Sequence, residues 1–220
     1  MNIDENMFSP NRMLSTIFLS FSLSILLCEG ISYPKPHNCG IYECPSYEVV
    51  YSQKEFEIRN YTSATWLSTK DIVSKSFNDA TVQGFRKVFS YITGKNKEGK
   101  RIKMTAPVLV NVVPPTDSNS DSKLVVYYYV PQEFQKKPPV SDELLPLNLP
   151  TNKLVAVRRF GGFVNDSIIG PNSEVNTLRN SLEGTTYQGK YNSSSFSVAI
   201  YNAPFEIINR VNEILLSFVD

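Results

Sequence analysis

Residues 74–93 read SKSFNDATVQGFRKVFSYIT. Phe77, Thr81, Phe85, Val88 and Ile92 recur at spacings of three and four, the period of an amphipathic helix. Gly94-Lys95-Asn96-Lys97-Glu98-Gly99 follows with the turn chemistry that ends one. At about 100° per residue, those five side chains make the core arc. Val82 and Phe89 lie on its flank, with Arg86 just beyond. The helix therefore offers a partly exposed apolar strip bordered by a cation.

On either side of this helix the pattern is that of strands. Tyr47 to Tyr61 alternates, with Val49, Tyr51, Phe56 and Ile58 as its apolar members, and Thr62 to Ser68 reads as a second strand. Further strands are expected over Ile102–Val112, Lys123–Val130, Lys153–Phe160, Phe196–Tyr201 and Glu213–Val219. Gly161-Gly162 reads as a bend. A second helix is expected over Pro171–Leu182, with Val175, Leu178 and Leu182 inward. Prolines at 131, 138, 139, 146 and 150 exclude a central strand or helix interior from 131–152, which reads as an extended surface flap.

A weak internal repeat is visible. Ile58-Arg59-Asn60-Tyr61 resembles Val157-Arg158-Arg159-Phe160, and Thr105-Ala106-Pro107-Val108 resembles Asn202-Ala203-Pro204-Phe205, at nearly constant offset. Each copy reads strand, strand, helix, strand, strand. The expected fold class is α+β: a distorted antiparallel β-barrel of two pseudo-repeated halves, flanked by two main helices. Pairing the halves hides sheet edges.

Composition narrows the function. The chain has 220 residues and one histidine, His37. Hydrolase triads, histidine-rich metal sites and histidine general bases place an imidazole in a pocket beside a partner, and His37 lies upstream of the patterned region. Asp71, Asp79, Glu133 and Glu143 are scattered rather than paired, and no G-x-S-x-G, Walker or H-E-x-x-H pattern occurs. The expectation is a binding module and not an enzyme. With 22 basic and 21 acidic side chains interspersed, no basic stripe marks a nucleic-acid surface. Met104, in a strand, reads as core filling.

Met13 to Leu27, MLSTIFLSFSLSILL, is an apolar run after Arg12, too short to span a membrane and suited to a secretory signal. The expected organisation is a signal peptide over 1–30, a Pro- and Cys-rich lead-in over 31–46 and one domain over 47–220. Removing 1–30 leaves 21 basic and 18 acidic side chains, a net charge of +3. Cys39 and Cys44 then remain as a pair. Either they close a short disulfide loop, as an oxidising compartment allows, or they stay free thiols in a flexible arm. The expected location is the secretory pathway, extracellular or vacuolar, for a monomer with no stable membrane insertion. Sequons at Asn60, Asn165 and Asn192 are about as many as chance supplies in so Asn- and Ser-rich a chain.

The strip on the first helix has two readings. It receives a flat hydrophobic ligand, rings against Val82 and Phe89 and carboxylates near Arg86. Alternatively, the flap at 131–150 covers it. His37 is either a weak candidate axial ligand for a metal or haem iron, or a solvated residue of the lead-in.

Several stretches taken together carry a resemblance. They include Glu43-Cys44-Pro45-Ser46-Tyr47-Glu48-Val49-Val50, Phe89-Ser90-Tyr91-Ile92-Thr93-Gly94-Lys95-Asn96 and Met104-Thr105-Ala106-Pro107-Val108. Later come Tyr128-Tyr129-Val130-Pro131, Arg159-Phe160-Gly161-Gly162-Phe163 and Asn209-Arg210-Val211-Asn212-Glu213. In order and spacing, the chain resembles the SOUL/haem-binding-protein family over residues 42–219, in particular plant members with an N-terminal signal. The resemblance implies a distorted β-barrel with two helices, similar to ligand-sensing domains of bacterial multidrug regulators. It also implies non-enzymatic, non-covalent binding of haem or another tetrapyrrole in a cleft beside the first helix, as a carrier or buffer. The basic residues it points to are Arg86 and Arg210; together with the first helix's own pattern, the expected cofactor-binding set is Val82, Phe85, Arg86, Phe89 and Arg210. The alternative is a module for another amphipathic ligand or a partner peptide.

Overall fold

The computed structural model describes residues 32–117, 120–149 and 153–219; the expected signal peptide over 1–30 lies outside them. In chain order the strands are β1 (Tyr47–Ser52), β2 (Glu57–Tyr61), β3 (Ala64–Thr69) and β4 (Ile72–Ser74), then helix α1 (Phe77–Ile92). Next come β5 (Val108–Val113), β6 (Ser122–Tyr129), β7 (Leu144–Leu149) and β8 (Leu154–Phe160). Helix α2 (Glu174–Leu182), β9 (Phe196–Ile200) and β10 (Asn212–Ser217) finish the chain.

Local chemistry sets the limits of α1. The Ser76 hydroxyl accepts from the Asp79 amide at 3.1 Å, and Asp79 places a carboxylate in the first turn, where the positive end of the helix dipole favours it. At the far end Gly94 takes φ 114°. Its amide donates to Tyr91 O and that of Lys95 to Ser90 O, the paired bonds of a glycine-terminated helix. The helix is rotated from the expected setting. Its buried residues are Phe77, Ala80, Gly84, Val88, Tyr91 and Ile92, so the core arc runs through two small residues that a hydrophobicity pattern passes over. Gly84 lets the helix backbone approach β6: a Cβ there would sit 2.2 Å from Val126 Cγ2. Thr81 and Phe85, expected in the core, are only half-buried and stand at its margin.

The sheet runs β1-β2-β8-β10-β9-β5-β6-β3-β7 by antiparallel neighbours, with β4 also paired to β6. It is a curled half-barrel with two faces set by the period of two. Val110, Val112, Ile214 and Leu216 face the helices and join the main core with Val175, Leu178 and Leu182 of α2. The alternate residues Leu109, Val155, Val157, Ala199 and Leu215 face the other way, into a smaller cluster.

Two expectations change and one alternative is decided. Residues 131–149 do not form a simple flap. After a 3-10 turn at Gln132–Phe134, β7 pairs with β3 at the edge of the sheet, with Pro146 opposite Leu67. An edge position tolerates a proline because one side of the strand needs no ladder donor. Of the two readings of Cys39 and Cys44, the disulfide is the one observed, and the lead-in around it is packed: Asn38 is buried and Glu43 forms a β-bridge with Thr105. Between β8 and α2 lies a 3-10 turn, Asp166–Ile169, where the expected repeat requires a strand. Gly162, at φ 80°, turns the chain out of β8 there.

Candidate functional site

A cleft of about 440 Å³ opens along α1. Thr81, Val82, Phe85 and Arg86 come from consecutive turns of the helix and form one wall. Val108 of β5 and Ile200 of β9, paired across the sheet, make the floor. Phe163 and Val164, just past the Gly161-Gly162 bend, and Asn202, Pro204 and Arg210 of the β9–β10 loop make the opposite wall. The cleft is thus apolar at its floor, with a guanidinium on each wall.

Each wall is held in place from outside. The Asp166 carboxylate accepts from the Asn78 amide at 3.1 Å and from the Ser76 hydroxyl at 3.2 Å, tying the 3-10 turn to the start of α1. Arg210 braces the β9–β10 loop: its Nη1 donates to Ala203 O at 3.0 Å and to Glu206 O at 2.5 Å. The same guanidinium lies 4.4 Å from the centre of the Phe163 ring, a cation–π contact. Burial lowers its pKa from the ordinary arginine value, with Glu206 acting in the opposite sense. Asn202 accepts from the Val211 amide at 2.8 Å and donates to Glu206 at 2.8 Å, closing the loop on itself.

Two polar atoms of the lining, Thr81 Oγ1 and Arg210 Nε, are buried with no hydrogen-bond partner among the described residues. Buried polar groups are nearly always satisfied, so these are two polar groups, one on each wall, that the chain itself leaves unmet.

The residues singled out from sequence separate here. Val82, Phe85, Arg86 and Arg210 line the cleft together. Phe89 stands one turn beyond it, nearly half exposed, its ring stacked on Phe85 at 6.1 Å between centroids. The Pro-rich segment does not cover this strip. It docks instead at the C-terminal end of α1, where the Tyr91 hydroxyl donates to Pro139 O at 2.8 Å. His37 opens a 3-10 turn in the lead-in and is exposed. Among the described residues no group of three or more His, Cys, Asp or Glu could hold a metal ion.

Of the far wall, sequence reasoning named Arg210 and missed the rest. Phe163, Val164, Asn202 and Pro204 lie about 80 to 120 residues from α1 in the chain. A signal was present: Phe205, Ile207 and Ile208, next to Pro204, are exposed at 79%, 70% and 74%, an apolar cluster unusual for a solvent loop.

The family described as "SOUL heme-binding protein" matches residues 42–217. The chain belongs to the SOUL family. Its relatives include Heme-binding protein 2 of Mus musculus, 35% identical over 163 residues, spanning 73% of this chain and 77% of the relative. The Homo sapiens Heme-binding protein 2 is 36% identical over 166 residues, with the same shares. Among solved structures, the EcmrR C-terminal domain covers 79% of this chain and 98% of its own length at a TM-score of 0.51 and 10% identity. That likeness concerns the fold alone. The SOUL match begins within the disulfide-closed lead-in and ends at the last residue of β10.

Proposed function

We propose that the chain binds haem or a related tetrapyrrole non-covalently in the cleft beside α1, as a carrier or buffer and without turnover. The observation that carries this reading is the cleft itself, an apolar slot with guanidiniums of Arg86 and Arg210 at its margins, in a family whose relatives are named heme-binding proteins. Val82 and Phe85 would meet the ring faces, with Phe89 extending the apolar strip outward. Arg86 is the main partner for the ligand's carboxylates, since Arg210 already spends one nitrogen on two loop carbonyls. Iron would supply ligand-exchange and redox chemistry when a haem is bound. The chain's own contribution is shape, desolvation and charge. His37, the chain's one histidine, is exposed in the lead-in and does not line the cleft, so binding rests on ring contact rather than imidazole ligation.

The apolar run Met13–Leu27 and the Cys39–Cys44 disulfide support export to an oxidising compartment, extracellular or vacuolar. The exposed Phe205, Ile207 and Ile208 at the rim favour a second reading, in which the same cleft accepts the apolar face of a partner peptide.

The test is a titration with hemin and with protoporphyrin IX, followed by absorption and fluorescence. Saturation by both at similar concentration, on the order of micromolar, supports the proposal. No saturation with either removes it, and saturation with hemin alone removes the claim that iron ligation is dispensable.

A further inference from the structure

A second cavity lies on the opposite face of the sheet. Trp66 of β3, Tyr61 of β2, Leu109 of β5, Val155 of β8, Ala199 of β9 and Leu215 of β10 line it, in a volume of about 130 Å³. Leu149 of β7 joins them. These strands span almost the whole sheet order, from β2 near one end to β7 at the other. One cavity touches them all because the sheet curls around it: this is the barrel interior.

The alternation of the strands separates it from the α1 cleft. Val108 and Ile200, a cross-strand pair, face the cleft; their neighbours Leu109 and Ala199, the next pair in the same ladder, face the barrel. Two faces of one pair of strands therefore carry two different cavities.

We propose that the barrel cavity is a second ligand site, for a small neutral molecule with one aromatic ring. Size sets the first limit. An apolar cavity of roughly 150 Å³ stays dry and accepts benzene, and this one is of that order. A tetrapyrrole is far too large for it. Charge sets the second limit. Lys153, the one charged residue of the lining, already has a partner, and Glu57, Arg59, Arg159 and Glu213, on the same face of the sheet beyond the lining, are paired with one another, leaving no free charge to draw an ion. Wall chemistry sets the third. Trp66 sits edge-on to Tyr129 at 5.3 Å, and with Tyr61 it presents aromatic surface to a ring. Mouths of small β-barrels are common places for such ligands.

Trp66 is the chain's one tryptophan, so its emission reports on this cavity. The probe is iodobenzene, which quenches indole emission on contact, titrated into the full-length protein. Saturable quenching with a dissociation constant below about 1 mM is expected, with no saturable effect from iodide ion. Ala199→Leu fills the cavity and should weaken iodobenzene by at least about tenfold. If that variant does not fold, Leu109→Ala serves instead: it enlarges the cavity and should let 1-iodonaphthalene bind where wild type rejects it. Quenching that rises without saturation in wild type overturns the proposal. So does saturation that survives in Ala199→Leu, or an iodobenzene response lost in Arg86→Glu, since Arg86 lies at the other cleft.

Discussion

Arg59 and Glu213, 154 residues apart in the chain, meet in two parallel hydrogen bonds of 2.8 and 2.9 Å, with both side chains fully buried. Glu57 takes the Arg59 Nε at 2.7 Å, Arg159 donates to Glu213 at 2.7 Å, and the Tyr201 hydroxyl donates to Glu213 at 2.9 Å. The Arg59 guanidinium also lies 4.2 Å from the centre of the Tyr47 ring. This group ties β1, β2, β8 and β10, and Tyr201 just past β9, together inside the curl of the sheet. A bidentate pair is directional as well as strong, so it fixes how β2 and β10 sit on either side of β8.

Breaking one side of this group leaves a buried charge uncompensated. Arg59→Met is expected to lower stability by about 3–5 kcal/mol, read as a shift in the midpoint of denaturant unfolding. Arg159 continues to screen Glu213, which argues for the lower end of that range. A variant as stable as wild type would show that the pair adds nothing to the curvature of the sheet.

Acid should unfold the protein through the same group. Burial works to raise the Glu213 pKa, but Arg59 and Arg159 outweigh it and hold the carboxyl below the usual value. A depressed folded pKa contributes stability that is complete above the unfolded glutamate value, about 4.3, and is lost as pH falls through the folded one. The melting temperature should therefore hold steady from neutral pH down to about 5 and fall below about 4. Glu213→Gln should flatten that fall while lowering the plateau. An identical acid limb in the variant would assign it to other carboxylates.

Gly84→Ala tests how closely α1 approaches the sheet. In an exposed helix this change is favourable by about 1 kcal/mol. Here the new methyl meets Val126 Cγ2 at 2.2 Å, and overpacking of this kind costs typically about 1–3 kcal/mol. The variant should be less stable than wild type, and displacement of α1 should weaken hemin in parallel. A stabilised variant would mean that the helix backbone stands further from β6.

These residues also show what sequence alone makes visible. The existence and type of α1 are legible because the 3–4 spacing and the turn chemistry from Gly94 to Gly99 agree with one another. Its rotation is not, because Ala80 and Gly84 carry little hydrophobic signal yet pack closest. Strand β7 hides behind Pro146, which argues against a central strand and says nothing of an edge. Glu57, Arg59 and Glu213 look like solvent-facing charges, since only the folded sheet brings them together. The near wall of the cleft, Val82 to Arg86, lies on one helix and can be read from spacing. The far wall comes from the β8–α2 segment and the β9–β10 loop, whose approach to α1 is a property of the sheet order.

The most direct test of the central claim is a hemin titration of wild type beside Val82→Glu, with His37→Ala as the control for ligation. A carboxylate at Val82 sets a charge against the ring face and, four residues before Arg86, competes for the guanidinium that receives the ligand's carboxylates, which costs at least about a factor of ten in affinity. The account predicts saturable wild-type binding, at least about tenfold weaker in Val82→Glu, with an unchanged Soret band in His37→Ala. Equal affinity of Val82→Glu and wild type would contradict it.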